Sequence, residues 1–183
     1  MTGKEDLDSE LEGGLKVIRA DGADVDKVWG VVKSCSDWLL SERGLDHWLK
    51  YYTREIIEKK IKTQEVLLVY QDGEVVGTIT LDANPVDYYT EENLAHFSDP
   101  SAKTLYVSTV AVNPDVQGRG IASRLMKLAD DIARSRGIDY VRFDCRAEYT
   151  DLVNFYLKRG YAKVGSFSEG EDQNYLLMEK KVI

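Results

Sequence analysis

Val110-Ala111-Val112-Asn113-Pro114-Asp115-Val116-Gln117-Gly118-Arg119-Gly120-Ile121-Ala122 runs from an apolar strand through a glycine-rich turn directly into a helix. The strand stops at Asn113-Pro114 because proline biases the residue before it toward extended backbone. Glycines at 118 and 120 let a ligand approach the backbone closely. The first turn of the following helix leaves N–H groups unpaired, and the helix dipole favours negative charge beside them. The junction therefore suits an anion such as a diphosphate. It is not a P-loop, because neither a lysine nor a hydroxyl stands in register for G-x-x-x-x-G-K-[ST]. A dinucleotide fingerprint is weakly met at Ser123 and lacks an all-parallel βαβ unit early in the chain. A tight strand-to-helix turn without a ligand is the plain alternative at this point.

The flanking pattern places the junction in an α/β chain. Before it, Leu15 to Ala20 alternates as a short strand, and Val25, Val28, Trp29, Val32 and Cys35 form a helical stripe that Gly44 interrupts. His47 to Lys62 reads as a second helical region, with Thr53 able to cap a helix inside it. Glu65 to Tyr70 and Val75 to Leu81 are joined through Asp72-Gly73, a strong hairpin signal. Asp82 to Ala102, with two prolines and Tyr88-Tyr89, reads as a long surface excursion before the strand Leu105 to Val112. After it, a helix spans Gly118 to Arg136 with Gly137 as a left-handed cap. A strand at Ile138 to Cys145, a helix at Asp151 to Arg159 and a hairpin of Tyr161 to Phe167 with Tyr175 to Lys180 complete the chain.

Composition narrows the function classes. The 183 residues, 43% hydrophobic and 31% charged, suit one soluble domain with its own core. Net charge is -8, and half of it falls in Met1 to Gly14, where Lys4 faces Glu5, Asp6, Asp8, Glu10 and Glu12. That stretch, residues 1–14, is expected to be a flexible acidic tail, and residues 15–183 one domain. The charge has the wrong sign for a nucleic-acid binder. The longest apolar run, Val66 to Tyr70, is too short to span a bilayer, and no secretory signal is evident, so a cytoplasmic location with no membrane partner is expected. Two cysteines far apart and two histidines provide no zinc ligand set, and no metal is expected. Cys35 and Cys145 lie in apolar patterns and are expected to be buried, unreactive thiols. No G-x-S-x-G turn supports a serine hydrolase.

Gln117-Gly118-Arg119-Gly120-Ile121-Ala122 resembles the Q/R-x-x-G-x-G/A signature of the GNAT superfamily of N-acetyltransferases, and Phe155-Tyr156-Leu157-Lys158-Arg159-Gly160-Tyr161 resembles its second block. The specific residues lie between Leu105 and Tyr161, while the order of elements extends the likeness over most of the chain. The resemblance implies a mixed, mostly antiparallel sheet of about seven strands, flanked by about four helices. It also implies that the sheet splays between the strands at 105 to 112 and 138 to 145, with acetyl-CoA as cosubstrate in the gap. In that frame the backbone of Val110 and Val112 pairs with the pantetheine arm and donates to the thioester carbonyl. Gln117, Gly118, Arg119, Gly120, Ile121 and Ala122 hold the pyrophosphate, with Arg119 and Arg124 as candidates to meet CoA phosphates.

The same resemblance makes Tyr156 the proton donor to the departing thiolate. Asp144 is the leading candidate for the base, with Glu148, Asp82, Asp87 and a water chain as alternatives. Tyr149 stands where the family often has asparagine. Acceptor contacts are expected from Trp38, Trp48, Tyr88 and Tyr89, with Tyr51 and Tyr52 nearby in sequence, as the wall of an aromatic pocket. Trp38 and Trp48 serve equally well as packing anchors. The implied reaction is acetyl transfer from acetyl-CoA to a primary amine of a small molecule or peptide. Transfer of another acyl group, transfer to oxygen, a non-catalytic acyl-CoA sensor and a homodimer all remain open.

Overall fold

The computed structural model describes residues 9–170 and 173–183. The chain divides into two compact units, one formed by residues through Leu81 with Thr109–Lys127, the other by Asp82–Ser108 with Leu128–Ile183. Eight strands and six α-helices occur among the described residues, slightly more than the resemblance implied, in the same mixed α/β arrangement.

In the first unit, β1 (Ser9–Leu11), β2 (Leu15–Arg19), β3 (Glu65–Gln71) and β4 (Glu74–Asp82) pair antiparallel in that order. β1 lies inside the stretch expected to be a tail; residues 1–8 of that stretch fall outside the described residues. Ser-Glu-Leu carries one apolar residue, so no alternation marks this strand in the sequence. The β3–β4 turn is Asp72-Gly73 with φ of 52° and 85°, the two left-handed positions of a type I′ hairpin.

The helices α1 (Val25–Arg43), α2 (His47–Tyr51) and α3 (Arg54–Thr63) supply the other wall of this unit. Val28, Val31, Val32 and Cys35 of α1 bury against Ile57 of α3 and Val66 and Leu68 of β3. Gly44, at φ 67°, ends α1 with its N–H on the Leu40 carbonyl. The single helical region expected over His47 to Lys62 is two helices. Tyr52 adopts extended backbone, and the Thr53 hydroxyl caps α3 by accepting the Ile56 N–H at 3.3 Å.

In the second unit, the beginning of β5 (Thr104–Val112) pairs parallel with β6 (Tyr140–Arg146) over Thr104–Tyr106 against Tyr140–Arg142. This register covers three residues of each strand. β6 continues antiparallel against β8 (Gln173–Lys181), which also pairs with β7 (Ala162–Glu169). The excursion after β4 contains α4 (Glu91–Ala95), closed by a Thr90/Asn93 capping box, and α6 (Thr150–Leu157) precedes Gly160.

Two elements belong to both units. β5 enters the first at Thr109, and α5 (Ile121–Ser135) enters the second after Lys127. Thr109 has φ 51°, an uncommon and strained position for a β-branched residue, and its hydroxyl donates to the Tyr52 phenol oxygen at 3.0 Å. No helix among the described residues is long and apolar enough to cross a membrane.

Candidate active site

The glycine turn lies in the first unit. Asn113 leaves β5 with its N–H on the Val76 carbonyl, and its side chain accepts the Asp115 N–H at 3.1 Å, which nucleates a 3-10 turn over Pro114–Val116. Gly118 and Gly120 then take φ of 80° and 78°. The helix expected from Gly118 therefore begins only at Ile121, because two left-handed residues cannot be part of a right-handed helix. The first bond back into this turn runs from the Arg124 N–H to the Gly120 carbonyl at 3.2 Å. The N–H groups of Ile121 and Ala122 precede it at the helix start, where backbone donors have no helical carbonyl to reach.

The surrounding side chains brace this loop. Gln117 donates from Nε2 to the Val112 carbonyl at 3.3 Å, and the Cys35 thiol donates to the same oxygen at 3.0 Å. Burial pushes the Cys35 thiol up to about 12, so it stays protonated and acts as a donor. Arg124 turns back on the loop, donating to the Arg119 carbonyl at 3.1 Å beside Gly13, whereas Arg119 itself is exposed. Gly120→Ala places a Cβ in the left-handed region at a cost of about 1–2 kcal/mol. Calorimetric titration is expected to show CoA affinity reduced about tenfold, with secondary structure retained.

The second unit holds the titratable groups. Asp144, half-buried on β6, accepts from both the Tyr88 hydroxyl at 2.8 Å and the Tyr89 hydroxyl at 2.7 Å on a single oxygen, Oδ1. Burial raises its pKa; the two tyrosine hydrogen bonds oppose that rise, and the nearby Glu169 charge adds to it. Tyr89 is held well above the ordinary phenol range, first by burial and then by Asp144. Asp144, a candidate base in the sequence, and Tyr88 and Tyr89, both candidate acceptor contacts, thus form one cluster.

Tyr156 lies on α6 with its ring 4.4 Å from that of Phe143 and 6.1 Å from that of Tyr161. Burial raises its phenol far above the usual range, and the nearby Asp144 carboxylate adds to the shift. It is a neutral O–H donor at any physiological pH. Burial also pushes the Cys145 thiol up to about 12, as an inert thiol requires.

The other acids serve elsewhere. Burial raises the Glu148 carboxyl, but hydrogen bonds from its own backbone, Asn174 and Arg146 together bring it down to about 2, and Arg146 pairs with it at 2.9 Å. Such a carboxylate is a poor proton acceptor near neutral pH. Asp82 accepts from the Asn84 backbone and side chain, and Asp87 is exposed. Tyr149 is the residue before α6.

Trp38 and Trp48 belong to the first unit, whereas Tyr88 and Tyr89 belong to the second. Trp48 meets Tyr52 edge-on at 5.1 Å, and both pack on the helix–sheet core; Trp38 lies under the Arg43 guanidinium at 5.5 Å. The second unit also contains a cavity of about 380 Å³ whose lining includes Tyr88, Thr90, Glu92, His96, Phe167 and Glu169. Apart from Tyr88, the sequence gives little sign of it. The Thr90-Glu91-Glu92-Asn93 helix start is a capping signal that leaves open which side chain turns toward a ligand.

A mixed sheet with a parallel β5–β6 start and a left-handed glycine turn before α5 accord with an acyl-CoA-dependent transferase. Residues 32–161 match the acetyltransferase (GNAT) family, and the chain belongs to it. It is an acetyl-CoA-dependent acyltransferase. It is 24% identical over 175 residues to the uncharacterized N-acetyltransferase YesJ of Bacillus subtilis strain 168, covering 94% of this chain and 93% of the relative. Its fold is similar to that of a GNAT-family acetyltransferase from Listeria monocytogenes, with a TM-score of 0.69 at 19% identity over 92% of this chain and 96% of the other. It is also similar to the PaiA N-acetyltransferase of Thermoplasma acidophilum, whose structure contains coenzyme A, with a TM-score of 0.66 at 16% identity over 91% and 98% of the two chains.

Proposed function

We propose that the protein transfers an acetyl group from acetyl-CoA to a primary amine by direct attack of the amine on the thioester. The observation that carries this reading is the Asp144 cluster: a carboxylate with a raised pKa, held by two phenols, on the strand that precedes the Tyr156 helix. Gln117 to Ala122 take the pyrophosphate through backbone N–H groups. Val110 and Val112 take the pantetheine, and their amides donate to the thioester carbonyl as negative charge develops there.

The neutral amine forms the new C–N bond and then loses a proton to Asp144. Collapse of the tetrahedral intermediate breaks the C–S bond, and Tyr156 gives its proton to the departing sulfur. Return of the Asp144 proton to the Tyr156 phenolate restores both groups. The products are an amide and free CoA, with no net change in either residue.

The pH dependence follows from the protonation states. Asp144 must be ionised to accept a proton, so kcat/KM rises with pH through its pKa. Because burial lifts that pKa, the rise lies above the ordinary carboxylate range. Asp144→Asn is expected to lower kcat at least about a hundredfold and to remove this limb, leaving only that of the acceptor amine. A pH–rate profile of the two proteins checks it; an unaltered limb in Asp144→Asn assigns the base elsewhere. The reading as a whole is tested by titrating the protein with acetyl-CoA and following thiol release with a panel of amines. Saturable binding with amine-dependent release supports it, and binding without release from any amine counts against it.

A further inference from the structure

We propose that the 380 Å³ cavity of the second unit is the acceptor pocket and that it selects an amine carrying a second positive charge. This rests on the reading above, in which Asp144 takes the amine proton. The cavity has the size of a small-molecule site, and its walls are of two kinds. Tyr88 and Phe167, whose rings lie 6.2 Å apart with planes tilted by 39°, give the wall aromatic surface of the kind that attracts a cation. Glu92, from α4, and Glu169, at the end of β7, contribute carboxylates.

No lysine or arginine is among the described residues that line the cavity. Arg146 lies over Tyr175, which stacks on Phe167, and its Nε is paired with Glu148. Glu92 and Glu169 thus give the described lining two carboxylates, beside one imidazole, His96, and an acceptor with a positive far end would pair with them.

Two features make the cavity a reaction site as well as an acidic pocket. Tyr88 forms part of its wall and donates to Asp144 at 2.8 Å, so one phenol joins the cavity wall to the proposed proton acceptor. Gly165 keeps the space open. Its φ is ordinary, yet a Cβ there would come 2.5 Å from His96 Cγ, so the missing side chain allows the imidazole to lie against β7. An acceptor can then present one nitrogen toward Asp144 while its far end meets Glu92 and Glu169.

Three probes of equal chain length isolate the far end: 1,4-diaminobutane, butylamine and 4-aminobutanoate carry a positive, no and a negative charge there. CoA release with each is expected to rank them in that order, with kcat/KM for the diamine at least about tenfold above butylamine. Glu92→Gln/Glu169→Gln should reduce that ratio severalfold or more, with acetyl-CoA binding reporting that the variant is folded. Gly165→Ala, which drives His96 into the cavity, should raise the diamine KM more than it lowers kcat.

Butylamine or 4-aminobutanoate equal to the diamine, or a diamine preference that survives Glu92→Gln/Glu169→Gln, overturns the proposal. Calorimetry with the diamine alone separates this from a failure of the transfer reading. Glutamate-dependent binding without turnover supports the pocket and counts against Asp144-assisted transfer, whereas turnover without charge preference counts against the pocket alone.

Discussion

Tyr156→Phe is expected to lower kcat by about a hundredfold to ten-thousandfold, the range for loss of a positioned general acid, while acetyl-CoA affinity changes little. The substitution is a clean one. The Tyr156 ring packs among Phe143, Phe155 and Tyr161, and phenylalanine retains all of those contacts. What disappears is an O–H that burial keeps protonated well past neutral pH. Without it the thiolate leaves unprotonated or takes its proton from water, and the barrier to C–S cleavage rises. The affected step follows cofactor binding, so the loss should appear in kcat and kcat/KM together, with the acetyl-CoA dissociation constant measured separately by calorimetry. Single-turnover CoA release is the decisive measurement. A rate within about threefold of the parent protein would assign thiolate protonation to another group.

Much of the fold could be read from the sequence because local chemistry specified it. Asp72-Gly73 dictated a two-residue hairpin, Gly44 and Gly137 terminated helices, and Thr53 capped one; each signal depends on neighbours within four residues. What escaped the sequence depends on distant partners. β1 exists because Glu10 and its neighbours pair with β2, and α4 is a single turn inside a stretch rich in acids and prolines. The glycine turn was legible for the same local reason, although its two left-handed residues delay the helix by three positions.

The cluster around Asp144 was only partly legible. Asp144, Tyr88 and Tyr89 were each selected, yet a separation of 55 residues conceals that both phenols donate to one carboxylate oxygen. Glu92 and Glu169 look like ordinary surface acids until α4 and the end of β7 form one cavity. Trp48, prominent in sequence, instead fills space between helices and sheet. Large aromatic residues serve cores and pockets alike, so composition alone cannot separate the two uses.

Arg142→Met is expected to have the largest effect on stability. Arg142 and Glu179 face each other across β6 and β8 with the arginine side chain fully buried, and the pair closes at 3.2 Å. Arg142 also donates to the Thr104 hydroxyl at 2.9 Å and to the Asp99 carbonyl at 2.7 Å, between the rings of Phe97 and Tyr140. Glu179 in turn accepts from the Ser98 backbone and hydroxyl. Removing the cation leaves a buried carboxylate without its counter-charge, which costs about 3–5 kcal/mol. In a chain of this length that lowers Tm by roughly 10 °C, readable by calorimetry.

A double variant distinguishes charge burial from lost packing. Arg142→Met/Glu179→Met should recover part of the deficit, because it removes both charges, but not all of it, because Thr104, Ser98 and the Asp99 carbonyl lose their partners. The pair also fastens residues 98–99, at the far end of the excursion that carries Tyr88 and Tyr89, to the sheet. Even below its Tm, Arg142→Met should therefore raise the acceptor KM while the acetyl-CoA dissociation constant, which the proposed mechanism assigns to the glycine turn, moves little.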